Sequence, residues 1–439
     1  MNNKLYTFVS LLLLSGGAFA STVPETQNLR SLVDYALANN PEVNVARERH
    51  IGALARVPQA MALPEPKLTY RYFVNEVETR VGPQEHGIGL SQTLPWFGKR
   101  GLQGDAATET ARAAQEGIAS IQNTVIAEVA NAYYELFYLG RSIEIIRGNR
   151  DLVLHLERVA RARYGAGAAT HADVIRAQVE LGIIENRLGS LKDRRAPLFA
   201  RLNALLNRPT TEIFDLPSIL TFEPVNYTDD ELLAKVSRHN PDLRATSFEI
   251  EAAHRQRERA NKNYLPDITL GLDYIATGDA RMPGVQDSGD DALSATIGFT
   301  LPIWRSKYDA GVKEADAILR QQQFKRDQQL NTFHAETVTA LFKLRDAQRQ
   351  IDLYEKTLLP KANESLVATQ RAYSTGAAPF ADTIDAQRML LNFELSFARA
   401  ITDHHQARIV LEKLTGQSLT NQSAMNRPVQ REESAHESH

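Results

Sequence analysis

The chain contains no cysteine among its 439 residues. No disulfide can brace it in an oxidising compartment, and no lipid can be joined to a cysteine at a processed N-terminus. After its first twenty residues, no run of about eighteen apolar residues reads as a membrane-spanning helix. Neither sign of charge is in surplus, with 50 basic residues against 53 acidic, which argues against a nucleic-acid partner. Common enzyme signatures are missing: there is no Gly-x-Ser-x-Gly, no His-Glu-x-x-His and no phosphate-cradling glycine loop. The five methionines do not cluster, so they build no soft-metal relay. His404 and His405 are adjacent rather than four apart, and are read as a solvated surface pair. No residue is assigned to catalysis, to a metal or to a cofactor.

What is present begins with a leader. Lys4 precedes a mostly apolar stretch, Leu5 to Leu14, and Ala18-Phe19-Ala20 offers a small-x-small cleavage site. Residues 1–20 read as a secretory signal peptide, too short in its apolar part to anchor the chain. An exported chain without a spanning helix is either soluble outside the inner membrane or a β-barrel.

The remainder is written twice. Asn40-Pro41 returns as Asn240-Pro241, Leu63-Pro64-Glu65 as Leu265-Pro266-Asp267, and Leu94-Pro95-Trp96 as Leu301-Pro302-Ile303-Trp304. Tyr164-Gly165-Ala166-Gly167 with Asp173-Val174-Ile175 returns as Tyr373-Ser374-Thr375-Gly376 with Asp382-Thr383-Ile384. A spacing near 200 residues is too long for a solenoid and indicates a duplicated unit. The repeats are placed at 21–210 and 229–416, with a linker at 211–228 and a polar tail at 417–439.

Each repeat carries two segments that alternate apolar and polar residues. Strands are expected over about 66–74 and 86–95, and over about 267–275 and 292–302. They have the length of tilted membrane strands. The segments joining each pair, 75–86 and 276–291, read as flexible polar loops. After each pair comes a very long, proline-poor helical stretch, about 100–164 and 306–373, the second interrupted only by Pro360. Roughly 65 helical residues reach about 100 Å, more than one globular domain needs. Shorter helices are expected at about 30–62, 170–206, 229–264 and 380–415. The pieces after Asn-Pro and the return helices together match the long helix, so two short helices should stack end to end beside it. The linker is placed as a belt around the helices.

Four strands cannot close a barrel, and an open sheet in lipid exposes unpaired backbone groups at several kcal/mol each. If the strands are membranous, several chains must share one barrel. Both tryptophans, Trp96 and Trp304, follow the second strand of a repeat and suit its membrane-interface rim.

These features together resemble the TolC family of outer-membrane efflux proteins. The resemblance spans about Leu29 to Gly416 and rests on the doubled landmarks, on Gln92-Thr93-Leu94-Pro95-Trp96-Phe97-Gly98-Lys99-Arg100, and on Leu411-Glu412-Lys413-Leu414-Thr415-Gly416. It implies a mostly α-helical chain with a transmembrane β-barrel. The assembly would be a homotrimer with a shared twelve-stranded barrel in the outer membrane and an α-helical tunnel across the periplasm. It implies a passive duct docked to a periplasmic adaptor and an inner-membrane pump, gated at the tunnel's periplasmic tip. By resemblance, Asp382, Asp385 and Tyr373 mark the constriction. Gly165, Gly167, Thr170, Gly376 and Pro379 mark the hairpin turns that an adaptor grips. Ala378 stands where the family's best-known member has a gating arginine. The Trp-Phe-Gly-Lys-Arg stretch is similar to members that export heavy-metal cations, while small-molecule drugs and type I protein secretion are alternatives. A structural coiled-coil protein of the cell surface also accounts for the long helices, but not for the paired strands.

Read from the residues alone, Asp382 and Asp385 share one helix face. Repeated around an axis they would make a cation-attracting ring. Asp382 could equally serve as a cap and dipole partner at a helix start, as Asp173 could in the first repeat.

Overall fold

A computed structural model describes residues 28–220 and 227–419. The expected signal peptide, part of the linker and nearly all of the polar tail lie outside the described residues. The first half forms α1 (Leu29–Asn39), α2 (Pro41–Met61), β1 (Lys67–Thr79), β2 (Gly82–Leu94), α3 (Lys99–Gly165), α4 (His171–Asp193) and α5 (Arg195–Leu205). The second forms α6 (Asp229–His239), α7 (Pro241–Lys262), β3 (Ile268–Thr277), β4 (Ala292–Phe299), α8 (Arg305–Leu353), a π turn (Tyr354–Leu358), α9 (Leu359–Thr375) and α10 (Phe380–Thr415).

Three of the expected helical spans are divided, each by a proline, two of them at the Asn-Pro starts that the sequence already marks. Pro41 and Pro241 disfavour helical geometry at the residue before them, and Asn40 and Asn240 are extended with ψ of 128° and 122°. Pro197 removes a helical N–H and crowds the carbonyl four residues earlier, and α4 gives way to α5 at Arg194. Pro360 acts more gently. The chain absorbs it by widening one turn to π geometry over Tyr354–Leu358, so the expected 306–373 helix bends its ladder without ending.

Asn40 and Asn240 do more than start helices. The Asn40 side-chain oxygen accepts from the Glu42 N–H at 2.8 Å, and its amide donates to the Leu205 carbonyl at the end of α5, also at 2.8 Å. Asn240 repeats the device: its oxygen accepts from the Asp242 and Leu243 N–H groups, and its amide donates to the Leu414 carbonyl at 3.0 Å. One buried side chain thus caps one helix and satisfies the terminal carbonyl of another. This splices α2 to α5 and α7 to α10 end to end. Around the 67-residue α3, the α2/α4 pair packs on one side and the α7/α10 pair on the other, with α8 beyond α7 and α10. Leu32, Val43, Val125, Val129, Leu136 and Leu202 form the core at the first splice. Residues 207–220 run against this core, with Phe214 buried and Leu216 over Gly140.

The four strands form one antiparallel sheet in the order β1-β2-β3-β4. Leu68, Leu90, Leu272 and Ala295 lie in one cross-strand row, and Tyr70, Ile88, Tyr274 and Leu293 in the next. The large side chains of this face are exposed. The opposite face is mostly Gly, Ser and Thr. There an Arg71–Asp273 ion pair crosses β2 above Gly87 and Gly89, and a Cβ on Gly89 would lie 2.4 Å from the Asp273 carboxylate.

Two loop expectations need correcting. The segment 75–86 is mostly strand: β1 and β2 continue to a tight turn at Arg80-Val81, with a bulge between Tyr72 and Val77. Polar residues beyond the alternating stretch hid this, because the ladder needs only backbone groups. The segment 276–291 is pinned rather than free. Gly278 and Gly289 donate to the Pro83 and Val81 carbonyls at 2.8 Å each, and Arg281 pairs with Glu76 and Glu78.

The surface reading of His404 and His405 is wrong. Both are buried in α10, only 1% and 3% exposed, with His405 against Tyr134 of α3 at 5.1 Å. The apolar α10 face is wider than two alternating positions, so neighbouring residues are both buried. Neither ring nitrogen of His405 has a hydrogen-bond partner among the described residues. Burial, and then the nearby Arg408 cation, push His404 down to about 4; burial, Arg408 and His404 push His405 down to about 3.

Two outcomes are expected. Asn240→Ala leaves the Leu414 carbonyl and two N–H groups without their partner and should cost about 2 kcal/mol, read as a lower thermal midpoint by circular dichroism; an unchanged midpoint would show that the splice contributes nothing. The rings stay neutral in the fold but take up protons when unfolded. Stability is therefore lost as pH falls below about 6.5, at about 2 kcal/mol for His405 between pH 7 and pH 5. Midpoints measured across that range should fall less steeply for His405→Gln, and equal slopes would contradict this.

Candidate functional site

The two helical hairpins end side by side. In the first, α3 terminates at Gly165, and Gly167 takes a left-handed conformation (φ 72°). Thr170 then caps α4 in a reciprocal box with Asp173, both contacts at 3.3 Å. In the second, Gly376 closes α9 in the left-handed region (φ 81°) and Pro379 opens α10. Gly165 and Gly167 have open space where a side chain would be, leaving bare backbone at the first turn.

Tyr373 does not project freely. It is buried against Phe380 at 5.0 Å, in a cluster with Leu156, Ala160, Val174 and Ile384. Burial first, and Asp173 second, raise its hydroxyl pKa, against a lowering by Arg163. The Arg163 guanidinium lies 4.8 Å from the Tyr373 ring centre and donates to the Ser374 carbonyl of the second turn and, at 3.1 Å, to the Ala168 carbonyl of the first. Ala378 offers no arginine, and one from the neighbouring hairpin bridges the two turns.

Asp382 and Asp385 are brought to one exposed face of α10, with Thr383, Ile384, Ala386 and Gln387 buried behind them. The capping alternative separates the repeats. Asp173 caps reciprocally with Thr170, whereas Pro379 gives Asp382 no side-chain partner, and its carboxylate makes no ion pair among the described residues. Asp385 lies 3.9 Å from Arg388. At heptad spacing the same stripe runs from Asp382 through Met389 and Ser396 to Asp403, and from Asp385 through Asn392 to Arg399 and Gln406. Those last residues line a groove of about 1140 Å³ between α3, α5, α8 and α10. There the charges are balanced. Glu135 accepts from Arg399 at 2.8 Å and Gln406 at 3.0 Å, and Arg399 pairs with Asp403 at 2.6 Å. Burial alone would raise the Glu135 pKa, but these hydrogen bonds hold it below the usual carboxylate range. Unbalanced negative charge on this stripe is concentrated at the tip.

At the other end of the helices Trp96 and Trp304 sit just past the strand ends. Trp304 is well exposed beside Ile303, and Trp96 is half-buried against the exposed Phe97. The Trp96 N–H and the Lys99 ammonium both donate to the Asp267 carboxylate at 2.8 Å, which locks the foot of the sheet to the start of α3.

Sequence reasoning missed Arg163, Asn149, Glu180, Gln387 and Arg388, which tie the hairpins together. Gln387 donates to Asn149 at 2.6 Å in the buried seam, and Arg388 donates twice to Glu180, at 2.9 and 2.6 Å. A signal existed. Aligned between repeats, Arg163 faces Ala372, Arg388 faces Val179 and Glu180 faces Met389. The halves diverge where charges reach from one hairpin to the other.

A sequence profile described as outer membrane efflux protein matches residues 32–208 and 232–417. The cobalt-zinc-cadmium resistance protein CzcC of Cupriavidus metallidurans is 21% identical over 88% of this chain and 90% of its own. The outer membrane protein TolC of Vibrio cholerae is 23% identical over 97% and 98%. Among solved structures, the outer-membrane channel OprN superposes with a TM-score of 0.75 at 20% identity, over 89% of this chain and 90% of its own.

Proposed function

The chain belongs to the outer membrane efflux protein family, and from that premise we propose that three copies of it close into the exit duct of a tripartite efflux assembly. As a family member it is an outer-membrane channel that reaches into the periplasm. The trimer reading is carried by one observation: every layer of the protomer ends in two unsatisfied edges. In the sheet these are β1 and β4, whose outer backbone groups lack a strand partner among the described residues. In the helical layer they are the α2/α4 side, with Val45, Ile51, Val179 and Ile183 exposed, and α8, with Phe324, Val338 and Phe342 exposed. Unlike edges meeting head to tail close a ring by rotation. Two copies would give a barrel filled by side chains, and three give one wide enough for a duct.

The exposed apolar face of the sheet then meets lipid, and Trp96 and Trp304 lie at its interface. The inner face is mostly small residues, crossed by the Arg71–Asp273 ion pair. The hairpin turns point to the periplasm, where bare backbone at Gly165 and Gly167, beside Gly376 and Pro379 of the second turn, suits an adaptor that links the duct to an inner-membrane pump. Asp382 and Asp385 of each copy converge at the mouth. Their unbalanced carboxylates, together with the similarity to a cobalt-zinc-cadmium resistance protein, support divalent heavy-metal cations as the exported class.

Planar-bilayer recording tests the mouth. The wild-type channel should prefer cations and be blocked by divalent cations, and the double variant Asp382→Asn/Asp385→Asn should lose most of both; unchanged currents would remove these residues from the constriction. Cells lacking the protein should lose resistance to zinc, cobalt or cadmium, whereas sensitivity to organic drugs alone would replace the substrate class.

A further inference from the structure

Arg388 stands three residues after Asp385, on the same exposed side of α10, and its charge would cancel much of the carboxylate pair at the tip. Instead its Nε and one terminal nitrogen both donate to a single Glu180 oxygen, at 2.9 and 2.6 Å, while the Asp385 carboxylate stays 3.9 Å away. Glu180 belongs to α4 of the other hairpin, and its side chain is only 4% exposed, against 73% for Asp385. A carboxylate that far from water needs a counter-charge, which makes it the stronger claimant for the arginine. We propose that Glu180 is a specificity-determining residue of the channel: by holding Arg388 against the first hairpin it draws a cation back from the mouth, leaving Asp382 without an ion pair and Asp385 with only a long 3.9 Å contact. This rests on the reading of those two aspartates as the constriction.

The pairing couples charge to geometry. With the hairpins apposed, Arg388 is held chiefly by Glu180, and each copy presents an unpaired Asp382 and an Asp385 that Arg388 reaches only at 3.9 Å. When the hairpins part, Glu180 is carried away with α4 and Arg388 turns to Asp385 on its own helix, where spacing of three makes the contact local. The mouth then carries about half the negative charge, so its preference for cations weakens as it widens.

Reversal potentials of single channels in a salt gradient test this, with the purified full-length protein and its assembly checked in detergent beforehand. Glu180→Gln, which keeps the shape but surrenders the charge, should lower the cation-to-anion permeability ratio roughly twofold as Arg388 moves to Asp385. Glu180→Gln/Arg388→Gln should restore the wild-type ratio, which a merely structural role for Glu180 would not do. A wild-type ratio in Glu180→Gln, or no recovery in the double variant, overturns the proposal. The two readings fail separately: if Asp382→Asn/Asp385→Asn abolishes selectivity and Glu180→Gln does not touch it, only the role of Glu180 is lost. If the aspartate variant changes nothing, the mouth assignment fails and this inference falls with it.

Discussion

A strand in hydrocarbon has no water to satisfy its outer N–H and C=O groups, so a sheet in a membrane must have no edge. The described sheet has two, β1 and β4. Everything else in the protomer is consistent with that debt being settled by a neighbour. The apolar rows face outward across all four strands in unbroken register, and the inner face is kept thin by Gly87, Gly89, Gly271 and Gly298. Below the sheet the helical layer has the same topology of two unlike open sides. Lys99 and Asp267 fasten the two layers together, so that whatever rotation closes the barrel is imposed on the helices as well.

A second constraint is length. One helix of 67 residues cannot be matched by a return helix of the same chain without spending as many residues again. The duplicated Asn-Pro solves this by joining two short helices into one virtual long one, and its side-chain amide keeps the joint from leaving buried groups unpaired. The duplication then supplies two nearly equivalent hairpins, and function enters where they differ. The tip of the first hairpin is capped and self-sufficient through Thr170 and Asp173. The second borrows Arg163, Asn149 and Glu180 from the first, and presents its own carboxylates outward.

The strands, the long helices, the doubled landmarks and the end-to-end stacking were legible because each is written in local periodicity or in proline. Asn-Pro marked the helix starts at Pro41 and Pro241, whereas the break at Arg194 was obscured by an apolar pattern that continues across it. The extension of β1 to Thr79 was not legible, since a ladder beyond the lipid requires no alternation. Nor was the burial of His404 and His405, which depends on how widely α10 is covered by α3 and α8 together and not on any spacing of the pair. At the tip, the sequence shows which residues are acidic. Which of them is exposed and which is spent on a partner is decided by the other hairpin, about two hundred residues away in the chain.

Shared strands require an assembly of three chains, and its mass is the most direct measurement of them. Light scattering on the detergent-solubilised mature protein, with the detergent contribution subtracted, should give three times the mass of one chain, and removing detergent should precipitate it. A monodisperse single chain, stable in water without detergent, would contradict the shared barrel and the channel built upon it.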